Sequence, residues 1–300
     1  MKNSMKYLAK CAGGILLFAI ALTSCQQENL VAPDEPSMVS SPNMREAMSP
    51  TKPKFYQLTK RGTSTLSYYD DGKLKRVTFG PAYHGTYASY IAYTYSANTV
   101  VTKLYGNNKL QEQTTYLLQP ATGNCFESQH KEYVTSGPVP NLAKESSYIY
   151  QYSPKGQLMT RKNKNSANDY TDFFYDTDGK LNKVSQYGDS GKGNGSAPML
   201  IVESNLIYTQ SSGQPLLDDH YPINCEFANM PDPYLRVFGK PTKYLVKLVT
   251  EKGSLGGRYF SYTLNADGYP VSRQMYNISG GALMQTIDYD YVTTGLFTGM

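Results

Sequence analysis

The sequence predicts an all-β chain built as an antiparallel meander of repeated hairpins, and three observations carry that prediction. The first is a recurring unit, clearest at 170–184 (YTDFFYDTDGKLNKV): an alternating aromatic run, a turn at Asp178-Gly179, then a run holding Leu181 and Val184. Asp-Gly between two alternating runs is a strong hairpin signal, because glycine accepts positive φ without a Cβ clash. The second is composition: the 300 residues include 28 Tyr and 10 Phe with no Trp, at a mean hydropathy of −0.49. A ring that carries a hydroxyl suits a pleated surface with one wet face. The third is that apolar residues rarely recur at the three- and four-residue spacing of a helix.

Residues 1–24 read as a leader. Lys2, Lys6 and Lys10 form its positive start, and 12–22 (AGGILLFAIAL) is an apolar stretch too short to span a bilayer. It ends in Leu22-Thr23-Ser24-Cys25, which resembles the lipobox of bacterial lipoproteins. That resemblance implies acylation of Cys25, a lipid partner for the chain and an address in the cell envelope at the outer membrane. Several acyl chains at one site anchor stably where one is marginal. Residues 25–53 then form a tether, with Pro33, Pro36, Pro42, Pro50 and Pro53 among Ser and no strand pattern. Residues 54–300 are expected to be one β-meander domain, since no break in composition follows residue 53.

Within that domain the hairpin unit repeats. Leu66 to Leu74 turns at Asp71-Gly72, Tyr148 to Leu158 at Gly156, Tyr208 to Leu216 at Gly213, and Tyr262 to Val271 at Asp267-Gly268. An aromatic or Leu generally lies four residues before the glycine, with Leu or Pro two after it. Asn107-Asn108 and 121–124 mark further turns, and 287–291 reads as a closing strand. Residues 218–241, with Pro222, Pro231, Pro233 and Pro241, are the least regular part and suggest a long loop over the sheet.

FYDTDGKL resembles the tyrosine-aspartate (YD) repeats of large bacterial surface proteins. The arrangement over 55–293 resembles a family of Bacteroidetes-type envelope lipoproteins whose domain of unknown function is described as porin-like. The resemblance implies a curved sheet or partly closed barrel; turn spacing by itself supports only the meander. It implies no catalytic residue and no cofactor.

Other constellations point to little chemistry. The net charge of +5 falls to +2 once the three leader lysines are removed, and no basic stripe suits nucleic acid. Cys125 and Cys225 remain after Cys25. In an oxidising envelope they suggest either a disulfide, worth up to roughly 4.7 kcal/mol for a loop of about a hundred residues, or two buried thiols. Asp176 and Asp178 resemble the start of a calcium loop, but Phe174 and Ser185 stand where carboxylate ligands belong. His84, His130 and His220 show no paired metal-ligand spacing. No nucleophile elbow or phosphate loop occurs, so a hydrolase using His220 (with Asp218 and Asp219) or His130 beside a nucleophile is the weakest reading.

Tyr148, Tyr150 and Tyr152 share one strand face, as do Tyr93 with Tyr95 and Tyr289 with Tyr291. If exposed, these rows would stack on a glycan or dock an envelope protein; if buried, they stabilise the sheet as cross-strand pairs. The expectation is a lipid-anchored, non-catalytic scaffold or interaction domain, with a glycan- or protein-binding module as the alternative. A membrane-spanning barrel is disfavoured, because alternate strand positions carry Lys, Asp, Ser and Thr too often for a lipid-facing row.

Overall fold

A computed structural model describes residues 55–80, 89–134, 140–189, 197–208, 232–239, 244–252 and 256–294. The leader, Cys25, the tether, His84, His220, Cys225 and the turn at Gly213 lie outside those residues. The strands are β1 (Phe55–Arg61), β2 (Ser64–Tyr68), β3 (Leu74–Phe79), β4 (Ser89–Ser96), β5 (Thr99–Gly106), β6 (Lys109–Leu118), β7 (Cys125–Val134) and β8 (Asn141–Tyr152). They continue as β9 (Leu158–Asn163), β10 (Tyr170–Tyr175), β11 (Leu181–Gly188), β12 (Met199–Ile207), β13 (Leu248–Glu251), β14 (Gly257–Leu264), β15 (Pro270–Asn277) and β16 (Leu283–Thr294).

Every strand pairs antiparallel with its neighbours in sequence, and β16 pairs with β1 to close the barrel. The sheet expected to be curved or partly closed is therefore closed, so that among the described residues each strand has a paired neighbour on both sides over at least part of its length. Side chains alternate along each strand, so one set points into the barrel and the other points out. In β4, Ser89 and Tyr93 are buried while Thr94 is exposed. Leu58, Val77, Val100, Leu158, Phe173 and Phe260 are buried in a single inward cluster. Each such aliphatic or aromatic side chain contributes roughly 1.5–3 kcal/mol.

The repeated turns share one geometry and one end of the barrel. In the turns begun by Tyr69, Ser153, Asp176 and Asn265, the first residue's N–H donates to the carbonyl of the fifth (Lys73, Gln157, Lys180 and Tyr269). The glycine at the fourth position, Gly72, Gly156, Gly179 or Gly268, donates back to the first at 2.9–3.0 Å. Each has φ of 80–85°, which a side chain would strain. Asp176 Oδ1 accepts from the N–H groups of Asp178 and Lys180, so the residues that resemble a calcium loop serve the turn.

The aromatic four residues before the glycine and the Leu two after it prove to be cross-strand partners. At the turn end, Tyr68, Tyr152 and Tyr175 stand opposite Leu74, Leu158 and Leu181, each just after a register shift, and all of them pack into the interior cluster. At the opposite end, Tyr105, Tyr133, Tyr187 and Tyr276 stand opposite Leu110, Leu142, Leu200 and Leu283, again after a register shift. These pairs lie outside the interior cluster, with Leu142, Leu200 and Leu283 exposed. The same pair of residues thus faces in at one end and out at the other.

Candidate functional site: the barrel interior

The interior is packed at the turn end. There the segment 232–239, from the connection between β12 and β13, lies within the barrel rather than over the sheet as expected. Phe238 packs on Tyr116 and Tyr150, with ring centroids 5.6 and 5.4 Å away. The Val237 carbonyl accepts from the Cys125 N–H at 2.6 Å. Gly239 bridges to Gln157, and Arg61 donates to the Tyr234 hydroxyl at 3.4 Å. The segment therefore touches β1, β6, β7, β8 and the turn between β8 and β9 as a plug.

Asp232 holds the plug's first turn. Its Oδ1 accepts from the N–H groups of Tyr234 at 2.7 Å and Leu235 at 3.2 Å, while its Oδ2 accepts from the Tyr93 hydroxyl at 3.0 Å. Burial is the largest influence on this carboxyl and pushes it up to about 6; the three hydrogen bonds pull the other way without cancelling it. The sequence does signal a turn here, because Asp232 lies between Pro231 and Pro233. It carries no signal that the turn enters the barrel.

The seven tyrosines offered as a contact surface all face inward. Tyr93, Tyr150 and Tyr289 are 1%, 5% and 2% exposed, and Tyr95, Tyr148, Tyr152 and Tyr291 pack against the same cluster. Tyr150 shares a hydrogen bond with Ser128 at 2.8 Å. Tyr152 donates to the Cys125 carbonyl at 2.6 Å and Tyr291 to the Pro270 carbonyl at 2.8 Å. Arg161 lies 4.0 Å from the Tyr148 ring centroid. The burial and partners of these rings are those of cross-strand packing.

Toward the opposite end the interior becomes polar and open. Glu112, Thr114, His130, Glu132 and Lys144 follow the inward alternation of β6, β7 and β8. His130 Nδ1 lies 2.9 Å from the Thr114 hydroxyl, and Nε2 lies 3.9 and 3.7 Å from the carboxylates of Glu112 and Glu132. Lys144 donates to Glu132 at 3.2 Å. With the side chains of Glu112 and Glu132 46% and 42% exposed, solvent reaches this half. Among the described residues no group of three His, Cys, Asp or Glu is placed to hold a metal ion.

Cys125 is buried and unpaired among the described residues, its thiol donating to the Glu127 carbonyl at 3.2 Å. Burial pushes that thiol up to about 12, so almost none of it is the reactive thiolate at neutral pH.

Beside the outward Tyr-Leu pairs at one end, the outer wall carries ion pairs along the strands. Lys60 pairs with Asp290 at 3.4 Å, Lys131 with Glu145 at 3.8 Å and Lys183 with Glu203 at 3.8 Å, all on the outer face. At a bilayer midplane each lysine would cost about 2–4 kcal/mol. No helix among the described residues is long and apolar enough to cross a membrane.

No protein-family model matches the chain, and no curated protein matches it in sequence. Solved structures do match in shape. A porin-like protein from Bacteroides uniformis aligns at a TM-score of 0.51 and 15% identity, covering 80% of this chain and 95% of that one. A porin-like protein from Bacteroides vulgatus aligns at 0.50 and 14%, covering 78% and 97%. The fold is porin-like. At such identities the likeness is one of architecture, and the plugged turn end and the ion pairs of the outer wall described above are properties of this chain itself.

Proposed function

We propose that this chain is a lipid-anchored, non-catalytic envelope protein whose closed barrel works in water as a scaffold or interaction domain. The observation that carries the reading is the wall. Its outward faces bear ion pairs where a spanning barrel bears apolar residues, and the plug occupies the interior where a channel would run. A porin-like fold with such a wall meets a membrane by another route, and Cys25, at the end of Leu22-Thr23-Ser24, supplies one. The roughly thirty residues after Cys25 are ample to separate barrel from bilayer.

The test is metabolic labelling of the full chain with an alkyne fatty acid, followed by membrane fractionation. Label and membrane association are expected, and both should vanish in Cys25→Ala. Label that survives in Cys25→Ala, or a wild-type chain that takes up none, would overturn the anchor. A glycan-binding role for the tyrosine rows has less support, because Tyr93, Tyr150 and Tyr289 are buried and the other four rings are partly buried against the same cluster.

A further inference from the structure

β12 is nine residues long and β13 only four. β13 pairs with Ser204–Ile207, and the Lys252 N–H reaches the Glu203 carbonyl at 2.8 Å. The chain then folds back, with the Glu251 N–H donating to the Gly256 carbonyl at 3.4 Å. β14 begins at Gly257, opposite Thr250, and reaches no further along the wall. Among the described residues, therefore, no strand covers 199–202 on this side, while β11 pairs with the other side.

The side chains agree with an open edge. Met199, Leu200 and Ile201 are 50%, 36% and 57% exposed, on both faces of the strand. Val202 completes an uncharged run with no proline inside it, whereas natural edges are commonly blunted by Lys or Pro. The outward row continues from Leu200 to Tyr187 and Tyr170, whose rings stack with centroids 4.5 Å apart.

An open strand edge presents a row of backbone donors and acceptors, and another strand satisfies that row most fully. The exposed apolar side chains require that strand to be apolar too. A second copy of the same edge meets both conditions. Antiparallel self-pairing sets Met, Leu, Ile and Val against one another, and Glu203, the flanking charge, is already held by Lys183 and Lys252 at 3.8 and 3.6 Å. We propose that the 199–202 edge of β12 is the site where two copies of this chain pair, carrying the sheet from one barrel into the next. Such contact is isologous, using one patch on both partners. It stands whether or not Cys25 is acylated.

The test is photo-crosslinking of the full-length chain in intact cells, with benzophenone-alanine replacing Ile201 and, as a control, Ser67 on the outward face of β2. Position 201 should give a product of doubled mass whose peptides all come from this chain, and position 67 none. Leu200→Pro should abolish the product by removing an edge donor, with protease resistance of the barrel unchanged. If Leu200→Pro fails to fold, Leu200→Glu at the same exposed position makes the same prediction through like-charge contact. No doubled product from position 201, its persistence in a folded Leu200 variant, or a product containing another polypeptide or lipid would each overturn the proposal.

Discussion

The Tyr93 hydroxyl and the Asp232 carboxylate meet at 3.0 Å inside the barrel, although 139 positions separate them in sequence. This contact ties the plug to β4, a strand beyond β6, β7 and β8, which grip Val237 and Phe238. A buried carboxylate with neutral donors is costly to keep ionised, so the latch carries a pH dependence.

Asp232 has a folded value of about 6 against an ordinary 3.8. A carboxyl raised on folding destabilises the fold above its folded value, and that cost is relieved as pH falls from about 6 toward 4. Asp232→Asn keeps the shape and most of the hydrogen bonds but cannot titrate. Between pH 7 and pH 4 the wild type should gain on the order of 2–3 kcal/mol relative to Asp232→Asn, read as a Tm difference that moves by roughly 5–10 °C. A difference constant across that range would show that Asp232 does not titrate there.

Inward and outward tyrosines should respond differently to loss of a hydroxyl. Tyr152 donates to the Cys125 carbonyl at 2.6 Å in the packed half, whereas Tyr276 reaches the Gln274 side chain on the outer wall at 2.6 Å. Urea unfolding of Tyr152→Phe should show a loss of about 1–2 kcal/mol, and Tyr276→Phe less than about 0.5 kcal/mol. Equal effects would contradict the assignment of the two faces.

Cys125 should resist alkylation in the folded protein at pH 8 and react promptly in guanidinium without any reductant. Its burial and raised pKa account for the first result, and its lack of a partner among the described residues for the second. A requirement for reductant, detected by mass spectrometry of the alkylated peptides, would instead establish a bridge to Cys225.

Gly239 has a φ of 82°, and a methyl group there would run into the Gly156 carbonyl oxygen of a repeated turn. Gly239→Ala should destabilise the plug by about 1–3 kcal/mol. Hydrogen exchange should rise first in 232–239, before the β7–β8 amides. Uniformly faster exchange throughout the barrel would mean that the plug does not open as a separate unit.

Fold class was legible because the hairpin unit is local. The turn at Asp178-Gly179 and the flanking alternation need only neighbouring residues, and each described copy forms as expected. Closure was not legible from spacing, since pairing β1 with β16 is a long-range event with no local signature. The tyrosine rows were located correctly on shared faces, but alternation cannot say which face is the inside of a barrel. Asp232 illustrates the remaining gap. Its flanking prolines mark a turn, whereas its meaning depends on Tyr93, which only the closed barrel brings near.

The seam between β1 and β16 has a consequence for how the chain is born. β1 shares six residue pairs with β16 but only two with β2. The β1 strand therefore has its main partner in β16, far along the chain, and it stays largely unmatched until residues 289–294 have been made. A chain stalled or clipped before residue 283 would leave the β1 strand without most of its ladder and the barrel open at that seam. The architecture thus makes closure conditional on residues 289–294, and a chain lacking them would remain an unclosed wall.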